Sequence, residues 1–327
     1  NNIFLAPNSH SKLVKIKEAE FVNKDLSVNV LDVADTAVMG GNANLKGFQG
    51  GFVSGDYGYL VPFYSGGGVY HGNVVRFELV NFDAVEVLDV TMAEGGNTDL
   101  KGFNGGFAAG GFGYLVPYSN GVYHGKVVRF DLAFDPDEPK VEVLDVTTAE
   151  GGSTDLTSFQ GGFAAGDYGY ILSSYNGVYH GKVVRFELAF DPDTNPTVVV
   201  LDVTTALGGS TALTGFHGGF AAGGFGYLVP YINSGVGHGK VVRFDLAFDP
   251  ADPKVEVLDV PTVANDGDLK RFTGGFAAGD HGYLVPDQHG NVVRFPTTQN
   301  YTSIDLSFTK SDPELIGFKG GFAHDNS

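Results

Sequence analysis

Short apolar runs of five to seven residues, separated by clusters of polar turn residues, recur along most of the chain. In the third copy of the pattern they are GGFAA, GYILSS, KVVRFEL and TVVVLDV. Each run is rich in β-branched and aromatic residues, is bounded by Gly, Asp, Pro or Asn, and lacks helical periodicity. The pattern therefore predicts four short β-strands in each copy and an all-β fold.

A repeated segment, Phe-x-Gly-Gly-Phe, marks the start of each copy. Its first Phe recurs at spacings of 55, 56, 57, 56 and 46 residues, at Phe48, Phe103, Phe159, Phe216, Phe272 and Phe318. Repeats of this length with four antiparallel strands are typical of the blades of a β-propeller.

The two ends of the chain complement each other. The N-terminal sequence matches the second to fourth strands of a copy, whereas the C-terminal GFKGGFA supplies only a first strand. We therefore predict a single domain over 1–327, a six-bladed β-propeller closed by pairing of the C-terminal inner strand with the N-terminal three strands, which protects open sheet edges. The predicted blades are 318–327 with 1–40, then 46–94, 101–150, 157–207, 214–262 and 270–308.

Composition and charge exclude several classes of protein. The chain has 49 Gly, 27 Phe and no Cys, so a disulfide framework, a thiolate metal site and a cysteine nucleophile are all excluded. A formal net charge of −18 would repel nucleic acid, and no apolar run reaches the length of a membrane span. The start at Asn1 is expected of a processed secreted protein and also of a trimmed one. We expect an extracellular or secreted location and leave a cytoplasmic one open.

The segment GYLVPYSNGVYHGKVVRFDL at 113–132, with its variants in the other copies, resembles six-bladed propellers of the NHL and SMP-30/gluconolactonase-like kind. The resemblance implies a channel lined by the first strands, with a ligand face at its mouth. It also implies a channel cation in the metal-dependent members. The residues expected at the mouth lie between Phe and Gly-Gly: Gln49, Asn104, Gln160, His217, Thr273 and Lys319.

None of these mouth residues is a carboxylate, so the position suits a hard cation such as Ca²⁺ poorly. We therefore predict no metal and no cofactor, and do not carry over lactonase chemistry. The mouth residues differ from blade to blade, which makes them candidates for ligand contact as well as for simple solvated side chains. His217 as a base with Lys319 as an electrostatic stabiliser is the one catalytic pair that these positions offer.

A second set of candidate residues lies in the loops before the third strands. The histidines His10, His71, His124, His180, His238 and His289 recur there, and Tyr70, Tyr123 and Tyr179 precede three of them. Asn120, Asn176 and Asn233 lie in the same loops. Aromatic faces beside hydrogen-bonding groups suit sugar recognition, whereas equivalent histidines on diverging blades favour a local bond to backbone over a shared metal.

Two charged sets read as structural. Arg76, Arg129, Arg185, Arg243 and Arg294, with Lys15, are expected to pair across strands with Asp32, Asp89, Asp145, Asp202, Asp259 and Asp305. The Phe-Asp-Pro segments at 134–136, 190–192 and 248–250 read as turns with weak Ca²⁺ potential.

The sequence thus favours a non-enzymatic recognition or scaffold propeller that binds a glycan or an extracellular protein through repeated loops on one face. The alternative is a hydrolase or lactonase-type enzyme with its site at the channel mouth. No Gly-x-Ser-x-Gly elbow, P-loop or His-Glu-x-x-His motif supports the enzyme.

Overall fold

The computed structural model describes residues 2–5, 11–17, 28–135, 137–287, 291–298 and 307–308. The chain divides into two compact units between Asp145 and Val146. Apart from one short helix, the regular structure of the described residues is entirely β. No helix among them is long and apolar enough to cross a membrane.

The first unit contains a three-stranded N-terminal sheet and two four-stranded antiparallel blades. The N-terminal sheet consists of β1 (Asn2–Leu5), β2 (Lys12–Lys17) and β3 (Val28–Asp32). The first blade consists of β4 (Phe48–Ser54), β5 (Tyr57–Pro62), β6 (Asn73–Glu78) and β7 (Val85–Asp89). The second consists of β8 (Phe103–Ala109), β9 (Phe112–Pro117), β10 (Lys126–Asp131) and β11 (Val141–Asp145).

The second unit contains three more four-stranded blades. The third blade consists of β12 (Phe159–Ala165), β13 (Tyr168–Ser173), β14 (Lys182–Glu187) and β15 (Val198–Asp202). The fourth consists of β16 (Phe216–Ala222), β17 (Phe225–Pro230), a small hairpin of β18 (Ile232–Asn233) and β19 (Val236–Gly237), β20 (Lys240–Asp245) and β21 (Val255–Asp259), followed by α1 (Val260–Ala264). The fifth consists of β22 (Phe272–Ala278), β23 (His281–Pro286), β24 (Val293–Pro296) and β25 (Ser307–Phe308).

The structure confirms a β-propeller architecture with four-stranded antiparallel blades, but it shows five such blades and not the predicted six. The sixth was to arise from the N-terminal sheet and an inner strand near Phe318. That sheet has three strands among the described residues, and Phe318 lies outside them. Five sheets therefore carry the full set of four strands.

Each blade packs a phenylalanine of its third strand over a glycine of its second. Gly58 lies directly opposite Phe77, and a Cβ atom placed on Gly58 would come within 2.1 Å of the Phe77 ring. The same arrangement recurs at Gly113–Phe130, Gly169–Phe186, Gly226–Phe244 and Gly282–Phe295. Because any side chain at these glycines would displace the ring, the pairs fix the register of the two strands.

A third-strand arginine joins its blade to the next blade in the same unit. The guanidinium of Arg76 lies 5.0 Å from the ring of Tyr57 in its own blade and 4.3 Å from the ring of Phe134 in the second blade. Its Nη1 also donates a hydrogen bond of 2.7 Å to the Leu132 carbonyl of the second blade. A delocalised planar cation suits this place because it can stack on aromatic faces and donate in its own plane.

Other charged residues repeat this contact. Arg185 lies between Tyr168 of the third blade and Phe248 of the fourth, and it donates to the Leu246 carbonyl at 3.0 Å. In the N-terminal sheet Lys15 takes the same place and donates to the Leu79 carbonyl of the first blade at 2.6 Å. The contact therefore tolerates lysine where the neighbour offers a carbonyl.

The predicted pairing with fourth-strand aspartates is wrong for Arg76, Arg129 and Arg243, and Asp305 of the predicted set lies outside the described residues. Arg76, Arg129 and Arg243 pair with the glutamates directly opposite them, which are Glu86, Glu142 and Glu256. The register places Asp89 opposite Asn73, three residues from the arginine. Asp89 instead accepts hydrogen bonds from the backbone N–H and hydroxyl of Thr91 at 2.9 and 2.7 Å, which closes the turn after the strand.

A second-strand tyrosine adds a hydrogen bond between neighbouring blades. Its substitution tests whether such contacts between blades stabilise the protein. Tyr170 is buried, and its hydroxyl donates to the Leu246 carbonyl at 2.8 Å. We expect Tyr170→Phe to lower the free energy of unfolding by about 1 kcal/mol, because one buried hydrogen bond is lost and the ring stays. Denaturant unfolding measures the change. Tyr168→Phe is the matched control, since Tyr168 is 38% exposed and contacts Arg185 through its ring. Equal effects of the two substitutions would contradict the coupling.

Candidate functional site

The loops between the second and third strands form short hairpins, which we call the connecting hairpins, over 63–72, 118–125, 174–181 and 231–239. Tyr64 bridges Tyr70, Tyr175 bridges Tyr179, and β18 pairs with β19. Glycines at their tips adopt backbone angles that L side chains rarely take, with φ of 114° at Gly121 and 112° at Gly177. The connecting hairpins are therefore defined backbone structures on which the predicted Tyr, His and Asn residues lie.

The histidines of two connecting hairpins are buried and bonded locally. The Nε2 atoms of His71 and His124 lie 3.1 and 3.0 Å from the carbonyl oxygens of Gly47 and Lys101. Each ring also meets the first phenylalanine of its blade edge to face. The prediction of a local bond to backbone is confirmed for these two residues.

The other two described histidines of the connecting hairpins vary this arrangement. In the third blade, His180 Nε2 lies 2.6 Å from Oδ1 of Asn176 within the same hairpin. His238 lies beside the backbone of Thr214 and Gly215, and neither of its ring nitrogens makes a hydrogen bond of ordinary geometry within the described structure. His10 and His289 lie outside the described residues.

Burial controls the protonation of these histidines. Loss of hydration lowers the pKa of His71, His180 and His238, and it lowers the pKa of His124 from 6.5 to about 4. The Lys101 carbonyl opposes the shift of His124, but burial outweighs it. His124 is therefore neutral in the folded protein at physiological pH and is a structural element of its hairpin.

The asparagine side chains of the connecting hairpins also make hydrogen bonds within the protein. The Nδ2 atoms of Asn120, Asn176 and Asn233 donate to backbone carbonyls 21 residues earlier, at Asp99, Asp155 and Ala212, over 2.8, 2.8 and 3.2 Å. Each bond ties a hairpin to the loop that precedes the first strand of its blade. The predicted imidazole and amide groups thus hold the hairpins in place.

Apolar side chains are what the connecting hairpins present to solvent. One valine near each tip is between 56% and 70% exposed, at Val69, Val122, Val178 and Val236. Tyr123 and Tyr175 are 38% and 37% exposed. Sequence reasoning missed these valines because an apolar residue in a β-rich segment is expected in the core. Their place between a tip glycine and the following Tyr or Gly was a usable indication.

Aromatic rings of the first two blades form one cluster beside these valines. Phe63 of the first blade contacts Tyr118 of the second with ring centroids 5.8 Å apart, and it also contacts Tyr64 and Tyr70. Tyr118 in turn contacts Tyr123 at 5.9 Å. Tyr70, predicted as a ligand residue, is half-buried in this cluster, and the Tyr123 ring reaches its exposed edge.

The predicted mouth residues lie second in each first strand, directly after the first Phe, where the pairing with the second strand shifts register in all five described blades. Asn104 and Thr273 are buried, whereas Gln49, Gln160 and His217 are half-buried. His217 packs against Tyr231 at 5.3 Å. Lys319, its predicted catalytic partner, lies outside the described residues.

Within the described ranges, no three His, Asp or Glu side chains gather as a metal site requires. The aspartates of the Phe-Asp-Pro segments accept hydrogen bonds from their own stretch of backbone. Oδ1 of Asp135, Asp191 and Asp249 accepts from the backbone N–H two residues later at 2.9, 3.0 and 2.8 Å. These carboxylates therefore act as turn residues.

The shifted pKa of His124 predicts a pH dependence of stability. The folded-state pKa lies below the unfolded one, so the unfolded chain binds more protons between pH 6.5 and about 4. Stability must then fall as the pH falls through this window. We expect His124 to contribute about 2 kcal/mol to the loss between pH 8 and pH 5. Unfolding of the parent and His124→Gln at both pH values measures this. Equal losses in the two proteins would contradict the assignment.

Comparisons with known proteins support the architecture only. No protein-family model matches the chain, and no curated protein matches it, so the predicted NHL or SMP-30/gluconolactonase-like membership is unsupported. Apo AztD from Citrobacter koseri shares 10% identity over 98% of this chain and 70% of its own, with a TM-score of 0.43. A functionally unknown protein from Desulfotomaculum acetoxidans DSM 771 shares 11% identity over 97% of this chain and 84% of its own, with a TM-score of 0.53. At 11% identity the likeness to the second protein concerns the fold alone.

Proposed function

We propose that this protein is a non-enzymatic recognition module that binds a repetitive glycan through its connecting hairpins. The observation that carries the proposal is the different use of side chains in the second and third hairpins. Their His and Asn side chains are hydrogen-bonded within the protein, while Tyr123, Val122, Tyr175 and Val178 are exposed at or beside the tips. The hairpins thus present apolar contact area on a backbone that is already ordered.

Exposed tyrosine suits a sugar ligand for two physical reasons. Its ring packs against the C–H faces of a pyranose, and its hydroxyl both donates and accepts hydrogen bonds. Tyr123 and Tyr175 offer these groups from hairpins held by the Asn120 and Asn176 amides. Because the hairpins are ordered before binding, little conformational freedom is lost when a ligand docks.

Repetition strengthens such a contact. Similar hairpins recur at the repeat interval of 55 to 57 residues, so one polymer with repeating sugar units can engage several of them. Binding at a second site then becomes intramolecular and raises the overall affinity above that of one site. The net charge of −18 favours neutral glycans over polyanionic ones, because like charges repel at these distances. A module of this kind would act outside the cell, where polymeric glycans are met.

A protein partner is the second candidate, and the exposed valines favour it. Val69, Val122, Val178 and Val236 add apolar surface without hydrogen-bonding groups, which a sugar uses less well than an apolar protein surface does. The two candidates differ in which side chain matters. If the ligand is a glycan, the exposed tyrosines should contribute most to the binding affinity. If it is a protein, the exposed valines should.

A substitution at one hairpin tests the glycan proposal. We expect Tyr123→Ala to weaken binding to a soluble neutral polysaccharide about threefold to tenfold, because one of several contacts is lost. The panel comprises xylan, mannan, hydroxyethylcellulose and glycol chitin, and affinity electrophoresis measures the change. Tyr168→Ala is the matched control, since Tyr168 is also 38% exposed but begins β13, away from the hairpins.

The outcomes separate the candidates. Partial loss in Tyr123→Ala alone supports the proposal, and equal loss in both variants contradicts it. His124 is left unchanged because it supports the hairpin backbone. If the parent binds no polysaccharide of the panel, the glycan proposal fails. Val122→Asp then tests the protein candidate in a self-association measurement and in binding to candidate partner proteins.

A further inference from the structure

The fifth blade departs from the repeat at the residue before its first strand. That residue adopts a left-handed backbone in every described blade, with φ of 78° at Gly47, 70° at Gly102 and 73° at Gly215. The third blade has Ser158 at φ 61°, and its hydroxyl donates to the Tyr175 carbonyl. The fifth blade has Arg271 at φ 65°. A long side chain at such an angle is strained, and strain of this kind concentrates at functional sites.

Two further departures surround Arg271. Tyrosine precedes the hairpin histidine in the first three blades, but Gly237 takes this place in the fourth. A Cβ atom at Gly237 would lie 2.3 Å from Cγ of Arg271, so the glycine leaves room for the arginine stem. The residue after the second strand is aromatic in the first, second and fourth blades and Ser174 in the third, but it is Asp287 in the fifth. Three departures thus meet at one corner of two neighbouring blades.

The side chains at this corner face one another. Nη2 of Arg271 lies 3.5 Å from Oδ2 of Asp287, and the guanidinium lies 5.7 Å from the Tyr231 ring. The Tyr231 ring also contacts the edge of His217 at 5.3 Å. Beside His217, a Cβ atom built on Gly218 would lie 3.8 Å from the Gly274 Cα, an ordinary van der Waals distance. Tyr231 and His217 are half-buried, and Asp287 is 7% exposed. The corner therefore combines a cation, a carboxylate, a phenol and an imidazole.

The charges of the corner indicate the class of ligand. Asp287 balances the charge of Arg271, and the whole chain carries −18, so an anion is disfavoured. Arg271 equally disfavours a cation. A hydroxyl group fits both, because it can accept a hydrogen bond from the guanidinium and donate one to the carboxylate. Tyr231 and His217 add ring surface for C–H groups.

We infer that the corner formed by Arg271, Asp287, Tyr231 and His217 is a single binding subsite for a neutral sugar unit, with vicinal hydroxyls at Arg271 and Asp287. This inference takes its ligand class from the proposed function. The subsite differs from the connecting hairpins because Arg271 and Asp287 stand where the other described blades have different residues, so it occurs once among the described blades. A sugar without neighbouring repeats is therefore enough to fill it.

Short sugars can distinguish binding at this subsite from binding at the connecting hairpins, because a short sugar cannot engage several hairpins at once. The probes are glucose, mannose, galactose, N-acetylglucosamine, cellobiose and xylobiose, tested against the full chain by saturation-transfer NMR and calorimetry. We expect one probe or more to bind with a stoichiometry of one. Arg271→Gly restores the residue of the other blades and should weaken this binding at least tenfold. Asp287→Asn, which keeps the shape and removes an acceptor charge, should weaken it also.

A matched control variant and thermal melts distinguish a loss of sugar binding from a loss of folding. Ser158→Gly makes the same kind of change at the equivalent position of the third blade and should leave binding unchanged. Arg271→Gly relieves backbone strain, so its melting temperature should not fall. Unchanged sugar binding in Arg271→Gly overturns the inference, as does a parent that binds none of the six probes. If the parent binds no sugar and Arg271→Gly has a much lower melting temperature, the contact between Arg271 and Asp287 is structural alone. Loss in Arg271→Gly with unchanged polysaccharide avidity in Tyr123→Ala supports the subsite and contradicts the hairpin proposal.

Discussion

The stacked third-strand cation is the contact on which the arrangement of neighbouring blades depends. One guanidinium meets an aromatic ring of its own blade, an aromatic ring of the next blade and a backbone carbonyl of the next blade, as at Arg76 and Arg185. The third blade shows which part is essential. Val199 stands opposite Arg185 where the first, second and fourth blades have glutamate, yet both stacking contacts and the carbonyl bond remain. The ion pair is therefore an addition, and the link between blades is the repeated element.

A fixed link between blades explains how the hairpins can differ in content. The second hairpin, for example, is held by the buried His124 against the Lys101 carbonyl and by Asn120 against the Asp99 carbonyl. The Val122 side chain at its tip is 70% exposed. Such a side chain can therefore change at little cost to the blade, which is the usual relation between a rigid scaffold and its recognition loops.

The repeat made the architecture readable from the sequence, but not the partners of its polar residues. Strand number per blade and strand direction follow from periodic Phe, Gly and Val-Val-Arg-Phe segments, whereas blade number depended on an end-joining argument that the described strands do not bear out. Arginine was assigned to Asp89, since register differences of three residues cannot be read from composition, and the structure pairs Arg76 with Glu86. Burial decides the role of His124, and burial is a property of the folded chain. Arg271 was visible in an alignment of the repeats, as an arginine where glycine recurs.

The bonds between blades also bear on how this chain is made. The hydrogen bonds from Tyr59, Arg76, Tyr170, Arg185 and Tyr227 reach carbonyls 56 to 76 residues further along the sequence. These side chains of a newly synthesised blade can therefore bond to their carbonyl acceptors only after the next blade has been synthesised. At synthesis rates of about 5 to 20 residues per second, the wait lasts about 3 to 15 s for each blade. During that interval the apolar surface that the next blade covers in the folded protein stays exposed, as is general for chains that complete their packing only after a later segment is made.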